Sequence, residues 1–511
     1  MPKILCFKKR KNERDILQII LLLLVLPSIL RAQNTLGCPD LIRSNKCSCS
    51  TFEDGIFLDC YDTTIKDVKY ALRSVSMVAS LFVYDLDESE ELLGPHFIPH
   101  GLCIKRIHIG RTNINEIADD AFMPLRKCLE TLSIVSSKIK FIPQQAFSGM
   151  LKLMSIELTS NVIEDIPSYS FYGLPLMKLS IVGNLIHDIS DSAFSSLELT
   201  LSEIDLSENN LTTFPIASLA KLRHLRSLRL EWNEIYFFPS VDNSDLVSLE
   251  YLGLNSNNFE FLSEDCLKFC PSLKKLSFHF NFINSIHYRA FYSLVNLNLI
   301  DLSHNRIKFI NHNLFQNNKN IEVINLSYNH LHHIHGLLCN LPSLTEVFLN
   351  HNNILDVPID SFHNSSKIST INLEMNCISN IHSESFTNLE NLDKLQLEFN
   401  YISKVPHDIF TNNNKLRTIR LDNNNFSELQ NDTLWPLENA VIIRLNNNKL
   451  KFISKSHFMK SLKVEEIYLD HNRISFIEPG AFIKMSNLKY LNLKHNQLGD
   501  INDILPRLSS N

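Results

Sequence analysis

Apolar residues recur along most of this chain in one fixed pattern, LxxLxLxxNxL, as in LMSIELTSNVI, LRSLRLEWNEI, LNLIDLSHNRI, LRTIRLDNNNF and LKYLNLKHNQL. Its Asn falls at 161, 184, 209, 233, 257, 281, 305, 329, 352, 376, 400, 424, 448, 472 and 496, in steps of 24 residues with two of 23 and one of 25. Two degenerate copies carry Thr112 and Ser137 in the Asn phase, and a weaker one lies near residues 78–86 (VASLFVYDL). Fifteen copies in register mean that one structural unit is stacked many times.

Each position in the unit has a physical task. The LxL alternation is a short strand with its leucines inward and its variable residues outward. Strands of successive coils stack in parallel about 4.8 Å apart, which builds a one-dimensional α/β solenoid with a continuous sheet on its concave face. Asn carries both a donor and an acceptor, so stacked Asn side chains can satisfy backbone groups where each strand turns away. Ten residues after the Asn phase comes Phe, at 122, 147, 171, 194, 291, 315, 362, 386, 410, 458 and 482, expected to stack as a spine under the convex side. Pro at 143, 167, 215, 239, 358 and 406 limits that side to short helical or extended pieces.

The pattern and the cysteines before it resemble the extracellular leucine-rich repeat family, in its 24-residue class, over about residues 38–511. Stretches such as IPSYSFYGLPLMKLSIVGN and LSENNLTTFP are most similar to arthropod chaoptin- and artichoke-type proteins. The resemblance implies a leucine-rich repeat horseshoe, an irregular convex side, a disulfide-stapled N-terminal cap and adhesion as the kind of work. It also implies the pairs Cys38–Cys49 and Cys47–Cys60 in CPDLIRSNKCSCSTFEDGIFLDC. A zinc site is the competing reading of those four cysteines, but paired C-x-x-C knuckles are missing. Related proteins usually close with a second cysteine cap, whereas no Cys follows Cys377.

Residues 1–32 read as an export signal: Lys8-Lys9-Arg10-Lys11, then the apolar run Ile16 to Leu30, then Ala32. An uncleaved anchor is the alternative, although fifteen residues interrupted by Pro27 fall short of the about 20 a span needs. Residues 33–77 form the cysteine-rich flank and 78–511 the solenoid, about 17–18 repeats. The whole chain carries −6 and its first 32 residues +5, so the remainder carries −11. That balance disfavours nucleic acid as a partner. The sequence stops one residue before the first Leu of a further coil, so a longer form or an end-to-end homodimer is expected to close the edge.

Phase arithmetic places a third disulfide. Cys103 and Cys128 each lie nine residues before positions 112 and 137, so they occupy equivalent places in adjacent coils, within bonding range. Cys339 and Cys377 are out of phase, and Cys266 with Cys270 could close only a strained local loop.

No catalytic motif is present, neither G-x-S-x-G nor H-E-x-x-H nor a phosphate-binding glycine loop, and no cofactor or metal is expected. His330, His332, His333 and His335 alternate as metal ligands could, but with no carboxylate or thiol in phase they read as solvated loop histidines. The candidate surface is the concave face, toward an extracellular or cell-surface protein, with the chain secreted, in the matrix, or surface-attached in a longer form. The residue before each Asn lines a lip: Trp232, Ser256, Phe280, His304, Tyr328, His351, Met375 and Phe399. Large amphipathic side chains in consecutive coils suit an interface hot spot, or else pack on one another. Two residues before the Asn run Glu374, Glu398, Asp422, Asn446 and Asp470, with Arg420 and Arg444 in the column beside them. These columns receive a charged partner or pair with each other across strands. N-x-[ST] sequons begin at Asn210, Asn325, Asn364, Asn425 and Asn431, and a glycan on Asn325 would shade the middle of the lip. The alternative to recognition is a self-assembling matrix component.

Overall fold

The computed structural model describes Cys38 and residues 46–499, apart from 74, 240–245, 407–408, 430–436 and 459. The leader, the Asn431 sequon and residues beyond 499 lie outside the described residues. Among them the chain winds as a solenoid whose coils each add one strand to a 20-stranded sheet. The sheet starts as an antiparallel hairpin, Cys47–Phe52 against Gly55–Thr63, with Cys47 opposite Cys60. Gly55–Thr63 then pairs in parallel with Met77–Leu86, and each later pairing in this sheet is parallel as far as Tyr490–Asn492. A helix over Ile65–Leu72 covers the first end. Thr64 caps it by accepting from the Asp67 N–H, while the Asp67 carboxylate accepts from the Thr64 N–H.

Strand length runs against repeat clarity. Met77–Leu86 has ten residues, Cys103–Gly110 eight and Thr131–Val135 five, and the regular coils have three. The degenerate copies are richer in β-branched and aromatic residues, which suit extended pairing. Regular coils leave the sheet early because their Asn turns the chain away.

That turn is built alike in coil after coil. Asn305 Oδ1 accepts from the Ile283 N–H at 2.9 Å, and its Nδ2 donates to Phe278 O, Leu302 O and Ser303 O at 2.9–3.1 Å. One amide thus ties two coils together at a buried turn. Where the Asn is missing, Thr112 Oγ1 and Ser137 Oγ meet at 2.8 Å, a shorter rung of the same ladder.

The phenylalanine spine is present in sections. Phe171 stacks on Phe194 (ring centroids 6.3 Å), Phe291 on Phe315 (6.2 Å), Phe362 on Phe386 (5.9 Å), Phe386 on Phe410 (6.3 Å) and Phe458 on Phe482 (5.7 Å). Between Phe194 and Phe291 a different cluster fills the interior, Phe214, Phe238, Phe259, Phe269 and Phe278. The convex side carries short parallel pairs such as Asp165–Ile166 with Asp188–Ile189, and single helical turns after Pro143 and Pro215.

Three disulfides lie at the N-terminal end: Cys38–Cys49, Cys47–Cys60 and Cys103–Cys128, the last with Cα atoms 5.6 Å apart. Cys266, Cys270, Cys339 and Cys377 are free thiols, the first two buried.

Candidate functional site

The lip has a backbone property that its side chains do not suggest. Each lip residue from Trp232 to His495 adopts the left-handed region, with φ between 53° and 56° at all twelve coils. An L-residue there costs about 1–2 kcal/mol, which Gly, Asn and Asp reduce. Asn423 and Asn447 take that cheaper course, whereas Trp232, Phe280, His304, Tyr328, His351, Met375 and Phe399 do not. The position is locked from the next coil, since the lip N–H groups of His304, Tyr328 and His351 donate to Ser327 O, Asn350 O and Glu374 O at 2.9–3.0 Å.

Four of these side chains form one stack. Phe280 meets His304 at 4.2 Å between ring centroids, His304 meets Tyr328 at 4.0 Å, and Tyr328 meets His351 at 4.0 Å. His279, two residues past the strand Lys275–Ser277, packs edge-on against both Phe280 and His304. Stacking hides the ring faces and leaves the outer edges open: Phe280 is 51% exposed and Tyr328 42%. Trp232, 57% exposed, stands outside the stack, and among the described residues no aromatic ring packs on it. Burial holds the His304 imidazole below its ordinary pKa; His279 pushes the same way, Asp301 opposes, and His351 adds to the depression.

The charged columns behave differently from the lip. Glu398 is fully buried and accepts from Arg420 Nη1 at 2.6 Å, while Arg420 Nε lies 3.7 Å from Asp422. Burial raises the Glu398 carboxyl above its ordinary value, and the Arg420 charge works against that. Arg420 is therefore committed to an internal pair. Arg444, its neighbour in register, lies over the Tyr468 ring at 4.3 Å. The column expected to face outward two residues before the Asn is in fact buried at Ser207, Ser303, Ser327, Glu398 and Asp422.

His330, His332, His333 and His335 are exposed loop residues, as expected, but carboxylates do lie in phase with them. A carboxylate of the following coil approaches two of them: His333 is 3.7 Å from Asp356 and His335 is 3.2 Å from Asp360. These are pairs, and among the described residues no group of three or more His, Cys, Asp or Glu is placed to hold a metal.

Asn325 sits on the concave strand Val323–Asn325, half-buried, its Oδ1 accepting from the Ser327 hydroxyl at 2.7 Å. Asn210 and Asn364 are exposed, and Asn425 is half-buried beside Lys449.

A second ring cluster was not legible as a site. Tyr61 stacks on Tyr84 at 5.4 Å, Phe82 on His108 at 4.8 Å, and Arg111 lies 5.0 Å over Tyr84 while pairing with Asp85. Gly110 makes it possible, because a Cβ there would stand 2.7 Å from the Tyr84 ring. The alternating VASLFVYDL was its only signal in the sequence.

The leucine rich repeat profile matches residues 127–177, 175–235, 247–307, 296–354, 342–402, 390–441 and 438–498, well over half the chain. The chain belongs to the leucine-rich repeat family. Osteomodulin of Rattus norvegicus is 26% identical over 286 residues, 48% of this chain and 65% of that protein. Leucine-rich repeat-containing G-protein coupled receptor 5 of Xenopus tropicalis is 27% identical over 34% of this chain and 22% of its own length. Tsukushi of Mus musculus is 27% identical over 36% of this chain and 53% of its own length. The chain thus spans less than two thirds of these relatives. Among solved structures, the Toll–Spatzle complex of Drosophila aligns with a TM-score of 0.70 at 18% identity, covering 92% of this chain and 70% of that one. A leucine-rich repeat protein of Leptospira interrogans aligns with a TM-score of 0.58 at 21% identity, covering 76% and 91%. Both likenesses concern the fold. No helix among the described residues is long and apolar enough to cross a membrane.

Proposed function

We propose that this chain is a non-enzymatic extracellular recognition protein that binds a protein partner through the lip and concave face of its solenoid. The observation that carries this reading is the exposed stack Phe280–His304–Tyr328–His351, held on a left-handed backbone where cheaper residues would serve stability better. A row of half-exposed rings with fixed backbones loses little entropy on contact, as hot spots require. The export signal, the disulfides and the sequons fit an oxidising, extracellular setting. The narrower likeness to chaoptin-type proteins suggests adhesion as the process.

The test is saturable binding of the purified chain to dissociated cells of its own tissue, compared with a His304→Ala, Tyr328→Ala variant. Lip replacement should weaken binding at least tenfold without changing the melting temperature by more than a few degrees. Polymerisation with rising concentration and no saturable binding would support a self-assembling matrix component instead.

A further inference from the structure

One coil departs from its neighbours at two outward positions at once. In register between Arg229 and Ser277 it carries Gly253, and on the lip between Trp232 and Phe280 it carries Ser256. Gly253 lies inside the strand Tyr251–Gly253 without a positive φ, so its backbone does not require glycine. Space requires it. A Cβ there would overlap Glu231 Oε1 and stand 2.6 Å from Glu231 Cδ and 2.9 Å from the Tyr251 hydroxyl. The glycine is the bed on which a carboxylate lies.

That carboxylate is oriented by neutral donors. The Tyr251 hydroxyl donates to it at 3.0 Å, and Ser207 Oγ, with one proton to give, lies between it at 2.8 Å and Asp205 Oδ1 at 2.6 Å. Burial, with the Glu231 charge next, pushes the Tyr251 phenol up to about 12, so it stays a donor at physiological pH. Among the described residues no cation pairs with Glu231. Arg229 lies 3.9 Å from Asp205 and 5.6 Å over the Tyr251 ring. Above the carboxylate the small Ser256 opens a gap in the lip. Strands stack about 4.8 Å apart, so the backbones that carry Trp232 and Phe280 stand about 10 Å apart across it. The stacked lip rings of this chain lie 4.0 Å apart, so one planar group fits in the gap. The whole depression holds about 580 Å³, and its lining includes the acidic Asp205, Glu208 and Glu231 together with Arg229 and His279.

The geometry points to a seat for one arginine side chain of the partner, its guanidinium between the Trp232 and Phe280 rings and paired with the Glu231 carboxylate. A planar cation matches both the flat gap and the carboxylate beneath it. Arginine also suits a bidentate carboxylate better than lysine does. This inference rests on the recognition reading and narrows it to a partner that presents an exposed arginine. The seat lies two coils from Asn325, clear of any glycan there.

Trp232 is one of two tryptophans and reports on its own gap. The full chain would be titrated with N-acetyl-arginine amide and with N-acetyl-citrulline amide, which has the same shape without the charge. The arginine amide should change tryptophan emission saturably in the roughly millimolar range expected of a fragment, and Trp232→Phe should remove that change. Citrulline amide should bind at least fivefold more weakly. Glu231→Gln, which keeps the shape and one of the two acceptor oxygens, should lose at least fivefold, and Ser256→Phe should close the gap. No response, an equal response to both amides, or a response that survives Glu231→Gln overturns the seat. If arginine fails while cell binding persists and depends on Tyr328, the seat falls and the recognition reading stands. Arginine binding without cell binding upholds the seat and overturns the recognition reading.

Discussion

The imidazole of His304 lies against the phenol ring of Tyr328 with centroids 4.0 Å apart and planes 12° from parallel. The contact covers a titratable ring in the middle of the lip, so proton binding there opposes packing.

Lowering the pH should weaken both the fold and the lip. Burial depresses the pKa of His304 below the ordinary 6.5 and does the same at His108 and His457. The unfolded chain therefore takes these protons first. Their contribution to stability is complete above about 6.5 and is lost as pH falls through the folded values. Denaturation midpoints should drop between pH 7.5 and 5, and His457→Gln should flatten the dependence. Proton NMR should place His304 below 6.5, with His279→Gln moving it up.

Arg420→Ala should cost about 3–5 kcal/mol, because it strands the buried Glu398 carboxylate. Without Arg420 the Glu398 carboxyl rises further. A raised carboxyl makes the folded state the stronger proton binder, so the penalty grows as pH rises. Urea melts at pH 5 and pH 8 should show the smaller loss at pH 5. A replacement of the whole group, Arg420→Met with Glu398→Leu and Asp422→Asn, should cost less than Arg420→Ala alone.

Asn305→Ala should destabilise by about 2–4 kcal/mol, since it removes an acceptor for Ile283 N–H and donors for three carbonyls. Asn353→Ala, on an exposed neighbouring phase, should change stability by about 0.5 kcal/mol or less. Equal losses at the two positions would contradict the ladder.

Thiol labelling separates the cysteines. Burial pushes the Cys266 thiol up to about 12 and Cys270 well above its ordinary value, so neither should react with iodoacetamide in the native state. Cys339 and Cys377, half-exposed, should label. A non-reduced digest should yield a linked Cys103–Cys128 peptide, and finding both as free thiols would sink that bond.

Asn325→Gln should leave partner binding intact or enlarge its footprint, as mapped by hydrogen exchange. A loss of binding with unchanged folding would make the Asn or its glycan part of the site.

Much of this structure was legible because a repeat turns folding into counting. The phase of Asn161 to Asn496 gave the coil, the ladder and the lip, and the equal offsets of Cys103 and Cys128 gave their bond. Counting along the chain says nothing about which side chains lean sideways. Arg420 reaches Glu398 one coil back, and Glu231 lies over Gly253 one coil on. Both depend on neighbours about a repeat away, whose volumes the pattern does not encode. The first coils were hardest to read, since long strands such as Met77–Leu86 replace the turn chemistry that marks the others.

The lip has one more consequence. Trp, Ser, Phe, His, Tyr, Met and Asn all occupy it with φ between 53° and 56°. The turn after it and the carbonyl of the next coil set the slot, whatever letter is placed there. The lip is thus a line of movable type: a ring transferred from one coil to another arrives on the same backbone. Such a surface is rewritten by spelling alone, with the sheet beneath it left unchanged.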